Sequence, residues 1–382
     1  MIAWLIYFKE NALKNRKYID FYITEGKKLD IDFKLILVED IEFGVEKNQW
    51  FIRHQGRDIA HPDFVICRAI YPLLSKHLEF MGIKVFNNSL VSEICNDKAK
   101  TYQYLANTGI KMVDTKFYKN FQGEDILNKV KSPTVIKAVD GHGGSQVFLY
   151  NPSQYYSNDE ANNISFDIKS KDNLIYSTNV NSNDNTKDNT KDNIIDSAKD
   201  NIKDNTIDSA KDNVKDNTID SAMDNSKDNT NFSKVVNNGG NESAENDNSF
   251  EKRSILQGLG SSDLVVQPLV GYRHQDLRVY VIGKEIIAAV LRTAREGFKS
   301  NFSLGGEVKL YHLSDTEISI VNTIIKQFDF GLVGIDFIIG DYGELIFNEI
   351  EDVVGSRMLY QCSNINIVEK YLQYIYNIIK QG

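Results

Sequence analysis

The sequence predicts an α/β protein, and three observations on the 382-residue chain support this class. Strand-like and helix-like segments alternate through residues 1–90, as they do where strands lie parallel in one sheet. Strand and helix patterns alternate again after about residue 262. Within residues 151–250 the composition changes abruptly and few large apolar side chains remain. We therefore expect two α/β domains, the second of which carries a long insertion.

The first predicted domain covers residues 1–90. Its opening segment, MIAWLIYFKE, is apolar but short and lacks a basic leader, so we expect a first strand rather than a signal peptide. No later apolar run approaches the roughly 20 residues that span a bilayer, and we expect no membrane partner. The segments that follow have the patterns of two strands, a helix and a further strand: DFKLILVED, PDFVICRAI, YPLLSKHLEFMG and IKVFNN.

The second predicted domain covers residues 91–382. It begins with a helix in DKAKTYQYLANTG, where Asp97 can cap the first turn and Gly109 can end the helix. SPTVIKAVDGHGGSQVFLY then has the pattern of a strand, a glycine loop and a second strand. After the insertion, four segments predict strands: DLVVQPLV, QDLRVYVIGKEIIAAVLRTA, VGIDFIIG and ELIFNEIE. Two further segments predict helices: TEISIVNTIIKQFD and NINIVEKYLQYIYNIIK.

Residues 151–250 are crowded with Asn, Asp, Ser and Lys and contain few large apolar side chains. Three copies of a twelve-residue repeat, IDSAKDNIKDNT and its variants, begin at Ile195, Ile207 and Ile219. Each copy has too few aliphatic residues to stack on the next, as the repeats of a solenoid do. Such a segment buries too little surface to offset the entropy of ordering it, so we expect a disordered insertion. Its extra length costs only about 2 kcal/mol of loop-closure entropy.

Composition and charge exclude several classes of protein. A hydrophobic content of 41% is that of a folded protein, and a net charge of −9 argues against a nucleic-acid partner, which needs a basic surface. Cys67, Cys95 and Cys362 lie far apart and form no CxxC pair, so neither a disulfide framework nor a zinc site is indicated. These cysteines fit best with a reducing cytoplasm.

The stretch GELIFNEIEDVVGSRML begins as a buried strand and then concentrates carboxylates. Side chains at positions i and i+2 share a strand face, so Glu349 and Glu351 point the same way. Asp336 lies on VGIDFIIG, which the tight turn GDYG joins to this strand, so the three carboxylates can converge. Unneutralised carboxylates repel unless a cation lies between them, which favours a Mg²⁺ or Mn²⁺ site. A solvated strand end is the alternative, but Asp336 interrupts an apolar run where burial without a partner is costly.

The loop DGHGGSQ has glycines at positions 141, 143 and 144 between two strands. Backbone without Cβ atoms can approach an anion and point N–H groups at it, as phosphate-binding loops do, although a glycine-rich hairpin turn would look the same. Lys137 on the preceding strand is placed to hold a phosphate, or is a surface lysine whose stem lies along the sheet. Lys98 supplies a second cation. We expect His142 to be solvated and leave it out of the catalytic set.

Together these segments resemble the ATP-grasp superfamily and, within it, the RimK-like amino-acid ligases. The resemblance covers about residues 60 to 150 and 262 to 375, and it implies an ATP-grasp fold preceded by an N-terminal pre-ATP-grasp domain. The segments that carry it are LEFMGIKVFNNSLVSEICNDKAKTYQYLANTGI, VIKAVDGHGGSQV, VVQPLV and QDLRVYVIGKEIIAAVLRTAREGFKSNFSLGGE.

The resemblance assigns roles to individual residues. It implies that Arg278, Arg292 and Arg295 orient the reacting carboxylate and stabilise the oxyanion, although a surface salt bridge is the alternative for any one of them. The implied metal ligands are Asp336, Glu349 and Glu351. The implied ATP-binding residues are Lys98, Lys137, Gly141, Gly143, Gly144, Ser145, Gln267, Pro268, Leu269, Asp276, Lys299, Ser300 and Asn301.

Three positions depart from the family pattern. Glu351 stands where the third ligand is usually Asn, which keeps oxygen chelation but adds a negative charge. The Ser-Pro-Gly segment that usually follows, and that borders the acceptor pocket in the family, is replaced by DVVGSRMLY. Pro268 stands where the family often has Glu, so one polar contact to adenine can be lost. The acceptor is therefore the part that the resemblance transfers least.

The reaction that the resemblance implies is ATP-dependent formation of an amide. The γ-phosphoryl group of ATP converts a carboxylate into an acyl phosphate, which an amine attacks with release of ADP and phosphate. The implied cofactors are ATP and two Mg²⁺ or Mn²⁺ ions. The implied partners are a small-molecule or peptide carboxylate acceptor and an amino-acid donor such as glutamate. A cytoplasmic enzyme, as a monomer or a homo-oligomer, fits this reaction.

Two alternatives stay open. An ATP-grasp enzyme can phosphorylate its acceptor without forming an amide, and a nucleotide-binding scaffold can lack turnover altogether. The altered acceptor segment and the long insertion motivate the second alternative. ADP released together with a new amide would separate the ligase from the phosphotransferase, and ADP release with any acceptor would exclude the scaffold.

Overall fold

The structure is a computed structural model, and the residues that it describes belong to one compact unit of the chain. They are residues 1–144, 146–152, 244–271, 274–293 and 307–381, with the backbone alone for 244–247. Most of the predicted insertion lies outside these ranges. Its last residues, however, belong to a helix that runs to Leu259, so the insertion ends earlier than the composition indicates.

The described residues form sixteen strands and ten α-helices. The strands are β1 Ile2–Tyr7, β2 Asp32–Leu37, β3 Ile41–Glu46, β4 Gln49–His54, β5 Arg57–Asp58, β6 Phe64–Cys67, β7 Lys84–Phe86, β8 Lys116–Tyr118, β9 Thr134–Ala138, β10 Val147–Tyr150, β11 Leu264–Pro268, β12 Gln275–Ile282, β13 Glu285–Thr293, β14 Glu307–Tyr311, β15 Leu332–Ile339 and β16 Leu345–Glu351. The helices are α1 Lys9–Lys14, α2 Arg16–Lys27, α3 Pro72–Phe80, α4 Ser89–Cys95, α5 Lys98–Leu105, α6 Gly123–Lys129, α7 Ala244–Leu259, α8 Asp315–Ile325, α9 Arg357–Cys362 and α10 Ile367–Gln381, with 3₁₀ turns at Val38–Asp40 and Asn120–Gln122.

Four strands form a parallel sheet in the order β2-β1-β6-β7, which we call the N-terminal sheet. Every residue of β6 is buried, and so is every residue of β1 except the first, as expected for parallel strands that are covered on both faces. α3 begins at Pro72, whose fixed φ suits the first turn of a helix. The strands and the helix predicted for residues 1–90 are thus present.

A three-stranded antiparallel sheet, β3-β4-β5, follows β2, and the sequence analysis did not predict it. Lys47 and Asn48 form the turn between β3 and β4, and both have positive φ, 49° and 65°. This is the backbone of a two-residue hairpin turn, which an Asn-Gly or Asp-Gly pair usually signals. Because Lys-Asn replaces that pair, the sequence lacks the common hairpin signal.

The remaining strands form two antiparallel sheets. The small sheet has the order β10-β9-β11-β8, and the large sheet has the order β14-β13-β12-β15-β16. α7 contributes Ile255 and Leu259 to the buried cluster of the small sheet, together with Ile136 of β9. These apolar contacts explain why the chain is already helical before residue 250.

α5 begins where the sequence predicts, because Asp97 Oδ1 accepts a hydrogen bond from the amide of Lys100 at 2.9 Å. The helix ends at Leu105, earlier than predicted. Gly109 takes a φ of +83° in the turn that follows, a conformation that favours glycine.

α10 connects the N-terminal sheet with the large sheet. Tyr371 and Leu372 of this helix lie in the same buried cluster as Leu5 of β1 and Tyr280 of β12. Among the helices of the described ranges, none is both long and apolar enough to cross a membrane.

Candidate active site

A cavity lies between the small sheet and the large sheet, and both sheets contribute to its wall. Eleven of the predicted site residues line it: Lys98, Lys137, Gly141, Gly143, Gly144, Gln267, Pro268, Leu269, Asp276, Glu349 and Glu351. Asp336, Arg278 and Arg292 are buried and bonded to one another beside this wall. The remaining predicted residues fall outside the described ranges: Ser145, Arg295, Lys299, Ser300 and Asn301.

The acidic residues come together on the hairpin of β15 and β16. Asp336 pairs with Glu349 across the two strands, and Glu351 follows two positions later on the same face of β16. One carboxylate oxygen from each of the three acids lies within 4.8 Å of the others. The turn closes through the amide of Gly343, which donates to the carbonyl of Gly340 at 2.9 Å. The predicted convergence of the three carboxylates is therefore present in the structure.

Two arginines of the large sheet neutralise this cluster. Arg278 on β12 donates from Nε and Nη2 to the two oxygens of Asp336, both at 2.7 Å, and its Nη2 lies 2.7 Å from Glu351. Arg292 on β13 donates to Asp336 at 2.9 Å and also bonds Asp276. The sequence predicts a metal ion as the neutralising charge, whereas the structure also supplies two guanidinium groups.

These contacts restrict what the two arginines can do. Their side chains are only 6% and 4% exposed, so a surface salt bridge is the wrong interpretation for both. Because Arg278 holds Asp336 through a two-point contact, it fixes the orientation of that carboxylate within the sheet.

Burial and the arginines act against each other on the carboxyl groups of Asp336 and Asp276. Burial would raise the pKa of Asp336, but the guanidinium groups of Arg278 and Arg292 outweigh it and lower the pKa to about 2. Asp276 shares Arg292 with Asp336, and burial raises the pKa of Asp276 to about 6. Asp336 therefore stays ionised at neutral pH, as a metal ligand must.

Lys98, the first residue of α5, joins the glycine loop to the acidic hairpin. Its Nζ donates to the carbonyl of Gly141 and lies 3.2 Å from Glu349. Burial would raise the pKa of Glu349, but the ammonium groups of Lys98 and Lys137 together outweigh it and lower the pKa. Burial raises the pKa of Glu351, against the opposing charge of Arg278.

The chemistry of this donor set fits a hard divalent cation. Asp336, Glu349 and Glu351 offer carboxylate oxygens, which Mg²⁺ and Mn²⁺ prefer. Glu349 and Glu351 are about one-quarter exposed and line the cavity, so a ligand there can reach them. The Cα pairing of Asp336 with Glu349 holds two of the candidate ligands in place without help from a loop.

Lys137 lies on β9, a central strand of the small sheet that pairs with β10 and β11. Its side chain is buried and donates to Asn348 Oδ1 at 2.8 Å, across the cavity on β16. Burial lowers the pKa of Lys137 to about 8. The alternative of a surface lysine is therefore wrong, and the group is a cation held inside the site.

The glycine loop between β9 and β10 requires glycine at successive positions. Gly143 and Gly144 have φ of +63° and +75°, in the left-handed region that side chains disfavour. A Cβ atom on Gly141 would lie 3.1 Å from the side chain of Gln146 and 3.2 Å from Ala138. The loop thus presents bare backbone to the cavity, as a phosphate site needs.

The opposite end of the cavity is formed by the end of β11. Gln267 is buried and donates from its side chain to Thr115 Oγ1 at 2.8 Å. The amide of Leu269 donates to the carbonyl of Pro133 at 3.1 Å, so it is already used within the protein. Since Pro268 has no N–H, a base at this end would meet mainly carbonyl groups of these residues.

The cavity also contains residues that the sequence analysis did not select. Asn348 holds Lys137, and its position beside Glu349 was the available signal for it. Apolar residues on five different segments complete the wall, and no motif marks them: Val113, Val135, Val147, Val270 and Ile338.

The sequence matches a known protein family and its members. The family model of the RimK-like ATP-grasp domain matches residues 95–163 and 234–375, more than half of the chain. A probable alpha-L-glutamate ligase of Legionella pneumophila is 34% identical over 123 residues, which are 32% of this chain and 40% of that protein. The matches span less than half of the curated relatives, 47% and 40% for the first two.

Solved structures show the same fold. The RimK-domain ATP-grasp protein of Sphaerobacter thermophilus superimposes with a TM-score of 0.56 at 12% identity, over 99% of this chain and 98% of that one. The ATP-grasp ligase PsnB, complexed with minimal precursor, Mg and ADP, gives a TM-score of 0.53 at 11% identity, over 100% and 98%. The fold expected from the sequence is confirmed, and the chain belongs to the RimK-like ATP-grasp family.

Proposed function

We propose that this protein is an ATP-dependent carboxylate–amine ligase that forms an amide through an acyl phosphate. One observation carries the proposal: a buried lysine, a loop of left-handed glycines and the carboxylates of Glu349 and Glu351 line a single cavity, and the buried carboxylate of Asp336 converges with these two beside its wall. Cations and bare backbone suit a triphosphate, and the carboxylates suit the divalent ion that accompanies it. The family membership and the ligase names of relatives support the same chemistry.

The residues of the chain bind and position the nucleotide. Lys98, Lys137 and the amides of the glycine loop would hold the α- and β-phosphates, with Ser145 as a further predicted contact. Asp276 would lie near the ribose, and the strand end at Gln267, Pro268 and Leu269 would lie along the adenine. Lys299, Ser300 and Asn301 stay predicted contacts of the phosphates.

Asp336, Glu349 and Glu351 would hold Mg²⁺, for which Mn²⁺ is an alternative, and we propose two ions. The bound ions would offset the charge of the phosphates during transfer. Arg278 and Arg292 fix the acids, and through them the geometry of the site. Arg295 remains the predicted arginine for the oxyanion.

The acceptor that we propose is a small molecule or peptide with a carboxylate, and the donor is an amino acid such as glutamate. The name of the Legionella pneumophila relative supports glutamate, and the precursor bound to PsnB supports a peptide. We place the reaction in the cytoplasm, in line with the free cysteines at positions 67, 95 and 362. A homo-oligomer is compatible with this proposal.

The test uses hydroxylamine as a general amine with ATP, Mg²⁺ and a panel of carboxylates labelled with ¹⁸O. The ligase predicts ADP, a hydroxamate, and ¹⁸O carried from the carboxylate into phosphate, because the acyl phosphate contains the carboxylate oxygen. A stable phosphorylated acceptor would identify a phosphotransferase instead. ATP binding with no ADP from any acceptor would identify a binding protein.

In this assay Glu349→Gln, which removes a proposed metal ligand, should lower ADP release, and Glu344→Gln is its matched control. Glu344 lies at the hairpin turn and pairs with Lys111 at 2.6 Å, away from the cavity. We expect its removal to leave ADP release unchanged, since this ion pair is partly exposed and lies outside the cavity.

A further inference from the structure

A second polar site lies at the carboxyl ends of β1 and β6 in the N-terminal sheet. Tyr7 is the last residue of β1 and Arg68 directly follows β6. Ile6 and Cys67 are paired in the two parallel strands, and the amide of Arg68 donates to the carbonyl of Ile6 at 2.9 Å. The side chains of Tyr7 and Arg68 therefore emerge next to each other at this edge.

The topology places this pair at a switch point of the sheet. The chain passes from β1 to β2 on one side, and later returns to β6 on the other side of β1. In open parallel sheets the connections diverge at such a point and leave a crevice outside the carboxyl ends, where ligands commonly bind. Tyr7 and Arg68 lie at the position where such a crevice would open.

Arg68 has no carboxylate within ion-pair distance among the described residues. Its Nη2 donates to the carbonyl of Val354 at 3.1 Å, and its guanidinium lies 5.1 Å from the ring centre of Tyr18 and 6.0 Å from that of Tyr7. Its Nε is buried without a hydrogen-bond partner. A charge in this setting is costly unless an anion pairs with it.

Two tyrosine hydroxyls share this shortage of partners. The hydroxyl groups of Tyr7 and Tyr22 are buried without a hydrogen-bond partner, and the two side chains are 1% and 0% exposed. Tyr18 packs edge-on to Tyr22, with ring centres 5.1 Å apart, and its hydroxyl lies 3.0 Å from Ser356 Oγ. One cation and several hydroxyl donors thus surround the crevice, a composition that suits an anion.

The segment after β16 contacts both Arg68 and the large sheet. The carbonyl of Val354 accepts from Arg68, while its side chain packs at Gly334 beside Arg278. The carbonyl of Gly355 accepts a hydrogen bond from Tyr280 of β12 at 2.9 Å. Val354 therefore contacts Arg68 through its carbonyl and lies against Gly334, as does Arg278, the arginine that holds Asp336.

We propose that Arg68 binds a carboxylate of the acceptor other than the one that reacts, so that the acceptor is a dicarboxylate or a peptide with a free carboxyl group. This inference rests on the proposed ligase function. It makes Arg68 a specificity-determining residue, and the replaced segment DVVGSRMLY supplies the backbone and the Ser356 hydroxyl that complete its setting.

The test measures binding first, independently of turnover. The thermal midpoints of the wild type and of Arg68→Met are measured in the presence of Mg²⁺ and ADP. The added ligands are dicarboxylates of three to seven carbons and the peptide trialanine. The control for each dicarboxylate is its monoamide, and the control for trialanine is its C-terminal amide. We expect at least one free acid to raise the wild-type midpoint by several degrees more than its amide, and Arg68→Met to lose this difference. A dicarboxylate and trialanine distinguish a small molecule from a peptide.

Arg57→Met, a change at an exposed arginine of β5 in the same part of the chain, is the matched control and should behave as the wild type. ADP affinity, measured by calorimetry, shows that the Arg68 variant is folded. Arg68→Lys keeps the charge but removes Nε, and should retain part of the effect. If no acid exceeds its amide, or if Arg68→Met responds as the wild type does, then the proposal is wrong.

Turnover then separates this proposal from the ligase function. With an active acceptor, Arg68→Met should raise the KM of the acceptor on the order of 10- to 100-fold and leave the KM of ATP unchanged. An unchanged acceptor KM would overturn the role of Arg68 and leave the ligase intact. If the free acid binds to the wild type but not to the variant, and neither protein forms ADP, the carboxylate site is supported and the ligase function is wrong.

Discussion

The two walls of the cavity hold their charged groups in different ways. On the large sheet, Arg278 and Arg292 are bound to acids of the same sheet by short contacts. On the small sheet, Lys137 is buried without a carboxylate partner in the described ranges, and its hydrogen bond goes to Asn348 on the other wall. The charges of the large sheet are therefore neutralised by ion pairs within that sheet, whereas the small sheet keeps a cation that a bound anionic ligand can neutralise.

This difference has energetic consequences of opposite sign. Removing one partner of a buried ion pair leaves an unpaired charge and costs several kcal/mol. Removing a buried cation that has no counter-ion relieves a desolvation cost, so the fold loses little. The following variants test whether the two walls differ in this way.

The largest effect is expected for Arg278→Met on the large sheet. The substitution leaves Asp336 buried with only part of its neutralising charge, so the free energy of unfolding should fall by about 3 to 5 kcal/mol. Urea unfolding measures it. Arg53→Met is the control, since Arg53 pairs with Glu46 at the surface and should cost less than about 1 kcal/mol. If both variants lose the same free energy of unfolding, the buried ion pairs stabilise the fold no more than the surface pair does.

The next largest effect is expected for Glu349→Gln, which removes a predicted metal ligand without changing its size. Turnover should fall on the order of 10²- to 10³-fold, as when one preorganised electrostatic group is lost. ATP should bind to the wild type only with a divalent cation, and calorimetry with and without EDTA checks this. If the variant turns over at the wild-type rate, the assignment of Glu349 as a metal ligand is wrong.

On the small sheet, Lys137→Met keeps the buried stem and removes the charge. ATP affinity should fall about 10- to 100-fold, the range of a charge-assisted hydrogen bond, while stability is unchanged or higher. Met is preferred to Ala because the structure shows that the stem is buried. If ATP binds to this variant as it does to the wild type, Lys137 has a structural role only.

The charge of Lys137 should give ATP affinity and the free energy of unfolding opposite dependences on pH. Because burial lowers its pKa to about 8, ATP affinity should fall as pH rises above 8, by up to tenfold per pH unit, until the pKa of the bound state is reached. The unfolded chain binds more protons than the folded chain between pH 8 and 10.5, so the Lys137 contribution to stability should rise with pH in that window. Lys137→Arg should flatten the affinity profile, and a wild-type profile that is flat to pH 10 would contradict the assignment.

The smallest effect is expected when residues 153–243 are replaced by a short Gly/Ser linker, which spares both walls and α7. The repeat offers no stacking face, and every proposed site residue lies elsewhere. Tyr150 donates to Asn248 Oδ1 at 2.8 Å, so the two ends of the deletion already lie together. The thermal midpoint and ADP release should be unchanged, and a midpoint lower by more than about 5 °C would show that the segment packs on the protein.

Local rules predicted the acidic hairpin and the helix cap at Asp97. Alternation of side chains on β16 and the GDYG turn were enough to bring Asp336 near Glu349. The partners of Asp336 were not predictable in the same way, because the pairing of β12 with both β13 and β15 decides that Arg278 and Arg292 reach it. The Arg68 crevice likewise depends on strand order and has no sequence motif.

The bond between Tyr150 and Asn248 has a practical consequence for work on this protein. It joins the last residue of β10 to α7, and so sets the distance between the two points where the long segment leaves and returns. A guest domain whose own termini lie close together could be inserted there without pulling the small sheet apart. The position is therefore suited to the insertion of a fluorescent reporter domain.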